Sequence, residues 1–306
     1  MTIQEQCIQY LIQNPKATPQ DIMGVIGCQK SAAYAAWGSF KSVNQMSDTM
    51  TAVGMGDLHC GHIAGLTPPR WMTNKHNAQL YAEQKESWEA YESWIDLIGP
   101  VDALMVNGDC IDGKGKRSGS SELITADRLG QADMAAECIK QFKAKKVYMS
   151  KGTPYHTGDG EDFEQVIADK VGAVISDQIW VSINGIVFNL KHKIGSSSIP
   201  HGRATSLSKE WVWNTLWDEI SGAPKADVFL RSHVHYHTFV GNSQYLAMTL
   251  PALQAPNTKF GARQCSGTVD FGLVEFKIKE GDTVNTMTWK PYIKRLEAVA
   301  PTLLVA

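Results

Sequence analysis

No C-x-x-C pair and no disulfide-framework spacing occurs among the six cysteines, Cys7, Cys28, Cys60, Cys110, Cys138 and Cys265. That excludes a thiolate zinc finger and a stapled secreted scaffold. No apolar run approaches the roughly 18 residues that a membrane span needs, and no basic-then-apolar leader opens the chain. Neither sign of charge dominates: 29 Lys and Arg face 31 Asp and Glu, a net of −2, so no global field pulls toward nucleic acid or a membrane. Internal repeats and long low-complexity tracts are missing as well. What remains is an ordinary globular composition, 43% hydrophobic and 20% charged over 306 residues. The chain reads as cytoplasmic, with no membrane partner and room for one large core.

Residues 1–45 differ from the rest. Helical spacing over Ile3–Ile12 is broken by "NPKATPQ", restarts in "DIMGVIG" and restarts again in "CQKSAAYAAW". Thr18 before Pro19 suits an N-cap and first turn, and Gly27 suits a helix stop. Three short helices are expected here, arranged either as a helix-turn-helix DNA reader with Gln29–Trp37 as recognition helix or as a small bundle for packing or assembly. Lys30 is the one cation of that third helix, few for a phosphate-contacting element. A polar link around Lys41–Asp48 is expected to lead into a second domain, residues 46–306.

There, strand-like runs at 49–56, 102–109, 145–152, 185–192 and 226–233 alternate with helical patterns at 76–98, 122–144, 160–171 and 205–220. Such alternation predicts an α/β domain. The closing "FGLVEFKI", "EGD" and "TVNTMTWKPYI" read as antiparallel strands, so the sheet system is mixed or doubled. A polar cluster follows each strand, where α/β sheets place their sites. "GDLHCGH" supplies Asp57, His59 and His62; "NGDCIDG" supplies Asp109; "KGTPYHTG" supplies Thr153 and His156; "LKHKIG" supplies His192; "RSHVHYH" supplies His233, His235 and His237. Seven of the nine histidines fall in these clusters, and aspartate with imidazole is a donor set for Mn, Fe or Zn rather than Ca or Mg.

The ordered set D-x-H, G-D-x-x-D-G, G-T-x-x-H, H and H-x-H resembles the calcineurin-like metallophosphoesterase superfamily over residues 49–293. The blocks "GTPYHTG", "SSIPHG" and "RSHVHYH" are most similar to phosphoesterases encoded by phages and prophages. The resemblance implies a four-layer α/β/β/α sandwich of two mixed sheets behind the helical segment, and two divalent ions. Asp109 would bridge them. Asp57, His59 and His235 would complete one site, and His192, His233 and a group of the third motif the other. It also implies hydrolysis of a phosphate ester by a hydroxide bridging the metals, with a phosphodiesterase or nuclease preferred to a phosphomonoesterase. The alternative is a metal-bound scaffold of a phage or DNA complex without turnover.

Two departures from the pattern stand out. The usual G-N-H motif is here Gly152-Thr153-Pro154-Tyr155-His156, and the glycine before H-x-H is Ser232. His156 is therefore expected at the phosphoryl or leaving-group oxygen, with metal ligation as the alternative. Thr153 and His62 are expected as ligands or as supports for ligands. Asp112 is expected to anchor its loop, His237 to fill or support, and Cys60 and Cys110 to pack. Substrate phosphate is expected on Arg203 and His201 of "PHGRATS" and on Lys116 and Arg117 of the loop "GKGKRSGSS", which is otherwise a solvated loop. Trp211, Trp213 and Trp217 are expected to pack rather than to stack on bases.

Overall fold

The computed structural model describes residues 2–14, 17–47, 49–72, 78–158, 160–197, 199–256, 258 and 269–296, with backbone alone at 40–47, 78–80 and 117. The chain divides into two compact units, Met1–Thr49 and Met50–Ala306.

The first unit holds three helices, α1 (Ile3–Gln13), α2 (Pro19–Ile26) and α3 (Lys30–Ser47). Thr2 and Thr18 each close a capping box, with Glu5 and Asp21 reaching back to the N-cap amides. Gly27, at φ 68°, ends α2 in the left-handed region that a side chain disfavours. Cys7, Leu11, Ile22, Cys28, Ala33 and Ala36 form the core of this unit. The expected polar link is helical instead: α3 continues to Ser47, because nothing in "KSVNQMS" is a proline or a glycine that would stop it.

The second unit contains two mixed sheets. One has β1 (Thr49–Met55), β2 (Ala103–Asn107), β3 (Lys146–Ser150), β4 (Val174–Ser176), β10 (Phe271–Lys279) and β11 (Thr288–Lys294), in the order β11-β10-β1-β2-β3-β4. The strands β1 to β4 are parallel, and β10 and β11 are antiparallel. The other sheet has β5 (Ile179–Ile183), β6 (Ile186–Leu190), β7 (Val228–Arg231), β8 (Thr238–Gly241) and β9 (Leu246–Thr249), in the order β5-β6-β7-β9-β8. The helices are α4 (Ala78–Ile98), α5 (Arg128–Lys140), the single turn α6 (Pro154–Thr157), α7 (Phe163–Val171) and α8 (Arg203–Ser221).

Three apolar cores stack these elements into the expected α/β/β/α sandwich. Tyr91 and Trp94 of α4, Met134 of α5 and Ile167 of α7 pack on Val53, Leu104 and Val106 of the first sheet. Ala52, Met105 and Phe276 meet Phe188, Leu230 and Met248 between the sheets. Leu207 and Trp211 of α8 cover Phe229 and Ala247 on the far side. Strands such as "ALMVN" are continuous apolar runs because both of their faces are covered. Phe188 and Phe276 meet edge-on at 5.1 Å across the two sheets. Replacing Phe188 by alanine would cost about 3–5 kcal/mol. Among the described residues, no helix is long and apolar enough to cross a membrane.

Candidate metal centre

Asp57, Asp109, His192 and His233 are each the second residue after a strand, β1, β2, β6 and β7 respectively, and Thr153 is the third after β3. The parallel strands end at a common rim, so their loops converge there. The turns are sharp. Asp57, His59, Asp109, His233 and His235 have φ of 50°, 45°, 50°, 75° and 56°, and so make up five of the eight non-glycine residues with positive φ among those described. Left-handed backbone costs roughly 1–2 kcal/mol per residue and persists where the surroundings over-determine it.

Two sets of donor atoms gather without sharing a residue, one of Asp57, His59 and His235 and one of Asp109, His192 and His233, each with its atoms within 4.8 Å of one another; a third, of His59, Asp112 and His156, overlaps the first at His59. His235 Nε2 is 3.4 Å from Asp57 Oδ1 and 3.3 Å from His59 Nε2. The His233 amide donates to both Asp57 oxygens. His192 Nδ1 lies 2.7 Å from the Asn107 carbonyl, which takes its proton, and Nε2 then stands 2.9 Å from Asp109 Oδ2 without hydrogen-bond alignment. Two lone-pair donors this close need a positive charge between them. A proton serves in the metal-free protein, and a divalent cation fits the same place. Each donor set offers the mixed imidazole and carboxylate atoms that a divalent transition metal takes.

The electrostatics agree. Burial acts to raise Asp109, but His192, His233 and His156 outweigh it and hold the carboxyl well below its usual value. Burial likewise opposes Asp57, which His235 and His192 hold low. Burial would lower His192, yet Asp109 and Asp57 push it up to about 10. For His59, burial and then the neighbouring His156 bring it down to about 4.

The third motif serves the carboxylate. Thr153 donates both its amide, at 2.6 Å, and its hydroxyl, at 3.1 Å, to Asp109 Oδ1. Gly152 is required by closeness: a Cβ there would lie 2.2 Å from Asp109 Oδ1 and 2.3 Å from its amide nitrogen. His156 turns back into the site from α6. Its Nδ1 is 2.8 Å from the Asp112 carbonyl, its Nε2 is 4.0 Å from Asp109 Oδ2, and its ring meets His59 edge-on at 4.5 Å. Ser232 Oγ accepts from Asn107 Nδ2 at 2.8 Å, tying the end of β2 to the loop after β7.

Other residues fall differently. His62 lies outside both donor sets: its Nδ1 accepts the Ala64 amide, which fixes the loop behind the site. Asp112 Oδ1 stands 3.3 Å from His59 Nδ1 without hydrogen-bond alignment. His237 Nδ1 faces the Thr249 carbonyl, so it braces β9. Cys60 and Cys110 are buried; Cys60 donates to the Leu66 carbonyl. Trp211 stacks on Tyr245 in the core, whereas Trp213 is half exposed and stacks on Trp217.

A cavity of about 470 Å³ opens beside the second donor set, and its lining brings His156, His192 and His233 together with Thr153, Tyr155, Lys151, Lys191 and Lys193. The cations expected at substrate lie off this lining. Arg203 begins α8 and lies 3.9 Å over the Tyr236 ring, bracing the H-x-H loop. His201 is exposed in the short turn Pro200–Gly202 that leads into α8. Lys116 is exposed in the turn Lys116–Ser118, and the Arg117 side chain lies outside the described residues. Sequence reading missed the three lysines and also Glu164. The buried Glu164 carboxylate accepts the Cys110 amide at 3.0 Å and the Gly152 amide at 2.5 Å, clamping the loops that carry Asp109 and Thr153.

No protein-family model matches the chain, and no curated protein does. Solved structures overlap it loosely. A novel archaeal phosphodiesterase is 13% identical over 80% of this chain and 100% of its own, with TM-score 0.39. Vps29 of Entamoeba histolytica complexed with zinc is 13% identical over 80% and 99%, with TM-score 0.35. A predicted phosphoesterase of Streptococcus pneumoniae is 12% identical over 80% and 98%, with TM-score 0.32. Values this low assign neither a family nor an activity.

Proposed function

We propose that this protein is a cytoplasmic metal-dependent phosphoric ester hydrolase of the calcineurin-like type, acting on a phosphodiester or nucleic acid in preference to a monoester. One observation carries the reading: the two donor sets adjoin at His192, whose Nε2 lies 2.9 Å from Asp109 Oδ2 and 3.8 Å from Asp57 Oδ1, both aspartates standing on left-handed turns after their strands. Asp57, His59 and His235 would hold one ion, and His192 and His233 the other, with Asp109 between them. Mn, Fe or Zn suits this imidazole and carboxylate set. Bound there, the ions would supply Lewis-acid stabilisation of phosphoryl charge and a lowered pKa for water.

The chain's own residues supply the rest. Thr153 fixes the Asp109 carboxylate. With Nδ1–H held by the Asp112 carbonyl, His156 turns Nε2 toward the cavity side of Asp109, where it contacts the phosphoryl or leaving-group oxygen and holds a proton for it. The motif blocks support a phage or prophage origin. Hydrolysis of bis(p-nitrophenyl) phosphate by chelator-stripped protein, with and without added Mn²⁺, tests the reading. Metal-restored turnover is expected, and its absence with Mn, Fe and Zn alike would overturn it. A second reading, a metal-bound scaffold without turnover, draws on Thr153, whose hydroxyl is engaged by Asp109 where the superfamily has a free amide oxygen.

A further inference from the structure

Lys191 and Lys193 flank His192 in "LKHKIG", and all three line the cavity. Among the described residues, neither lysine has a carboxylate within ion-pair distance. Lys191 lies 5.9 Å over the Trp217 ring, and Lys193 is exposed. Lys151, also on the lining, is compensated by Asp162 at 2.6 Å and Asp177 at 3.8 Å, and Asp177 lines the cavity too. The excess positive charge therefore belongs to Lys191 and Lys193. Tyr155 contributes an aromatic face beside them, edge-on to His156 at 4.7 Å.

One scissile phosphate does not account for this lining. Phosphate at the donor atoms of His192 and His233 would leave Lys193, exposed on the same lining, and Lys191, whose ammonium lies over the Trp217 ring, without a phosphate partner. A second negative group one linkage along the substrate would meet them. Lysine is a point-charge partner for phosphate, and an aromatic ring accepts any base by stacking. A cavity of about 470 Å³ admits a nucleotide-sized unit. Both lysines belong to the lining of that concavity, so the flanking phosphate has to follow its wall, which a flexible strand does more readily than a stiff duplex.

We infer that the Lys191 and Lys193 wall binds the phosphate flanking the scissile one in a single nucleic-acid strand. The inference rests on the hydrolase reading of the site and deepens it. Binding of a short fluorescein-labelled oligothymidylate to the full chain, followed by anisotropy over about 50 to 200 mM salt, tests it without relying on turnover. Each phosphate neutralised on a single strand contributes about 0.7 to the log–log salt slope, so the double variant Lys191→Ala, Lys193→Ala, which gives up one phosphate, should lose about 0.7 of slope. The charge-preserving Lys191→Arg, Lys193→Arg should retain it, which separates loss of charge from loss of fold.

An unchanged slope in the alanine variant would overturn the inference. So would displacement of the strand by an equal concentration of ATP, or equal binding of a duplex of the same length. Hydrolysis of the bis-ester combined with a flat salt response would sink strand binding and spare the hydrolase reading. A lysine-dependent slope with no ester hydrolysed would sink the hydrolase reading and support strand binding.

Discussion

His192 Nε2 stands 2.9 Å from Asp109 Oδ2, while the other nitrogen of the same ring is committed to the Asn107 carbonyl. Whatever neutralises that gap is exchangeable, so metal and proton compete for it. With His192 raised to about 10, metal uptake below that pH must expel its proton. The expected result is proton release on titration with Mn²⁺ or Zn²⁺, and a Kd that tightens about tenfold per pH unit between roughly pH 6 and 8 from this group alone. Calorimetry in buffers of different ionisation enthalpy checks both. Asp109→Asn should lower the content of both ions, whereas Asp57→Asn should lower mainly one; equal, intact metal content in the two variants would show the ligand assignment to be wrong.

His156 should separate turnover from metal content. With Nε2 free and 4.0 Å from Asp109, His156→Ala is expected to lower kcat by about 10²–10⁴ while metal analysis stays unchanged. Esters with good leaving groups should lose less. Loss of one metal equivalent would instead make His156 a ligand.

Gly152→Ala is expected to abolish turnover and metal binding together, because its Cβ would meet Asp109 at 2.2 Å, with backbone on the same side. Gly160→Ala, with open space at its Cβ, is the control and should match wild type. Activity and metal content of the two proteins check the pair. A fully active Gly152→Ala would mean that the loop after β3 is free to shift.

Glu164 makes stability depend on pH. Burial, and then the negative charge of Asp109, push its carboxyl up to about 7 against the pull of two amide donors. Raised above its ordinary 4.5, it contributes stability that is fully present below pH 4.5 and is lost as pH rises through about 7. The loss is on the order of 3 kcal/mol. His59, held down at about 4, works in the opposite direction near neutrality, so the readout is the difference between wild type and Glu164→Gln. In metal-free protein the variant's deficit in thermal stability should shrink as pH rises from 5 to 8, although its amide turns a donor toward the Cys110 or Gly152 amide. A deficit that is constant with pH would refute the assignment.

Much of the fold was legible because buried parallel strands are written as apolar runs and the loops behind them as polar clusters; "MTAVGMGDLH" and "DALMVNGD" each show a strand and its turn. The strands Val174–Ser176, Ile179–Ile183, Thr238–Gly241 and Leu246–Thr249 escaped notice because three to five residues hold too little periodicity to read. The two donor sets could be read because aspartate and histidine at strand ends are distinctive. Glu164 could not, since in "DFEQVIADK" it looks like any acidic residue in a first helical turn, and its reach to two distant amides is a tertiary fact. Nor could the cavity lysines be told from ordinary strand-end lysines until the fold put Lys151, after β3, and Lys191, after β6, on the lining of one cavity.

The left-handed turns at Asp57, His59, Asp109, His233 and His235 set heat resistance against chemistry. Glycine would adopt each of those φ values without the steric cost that an aspartate or histidine bears. Laboratory evolution for thermostability in the presence of a chelator would therefore accumulate glycine and asparagine first at these five positions. A lineage released from the need for metal would erode its active rim before its core.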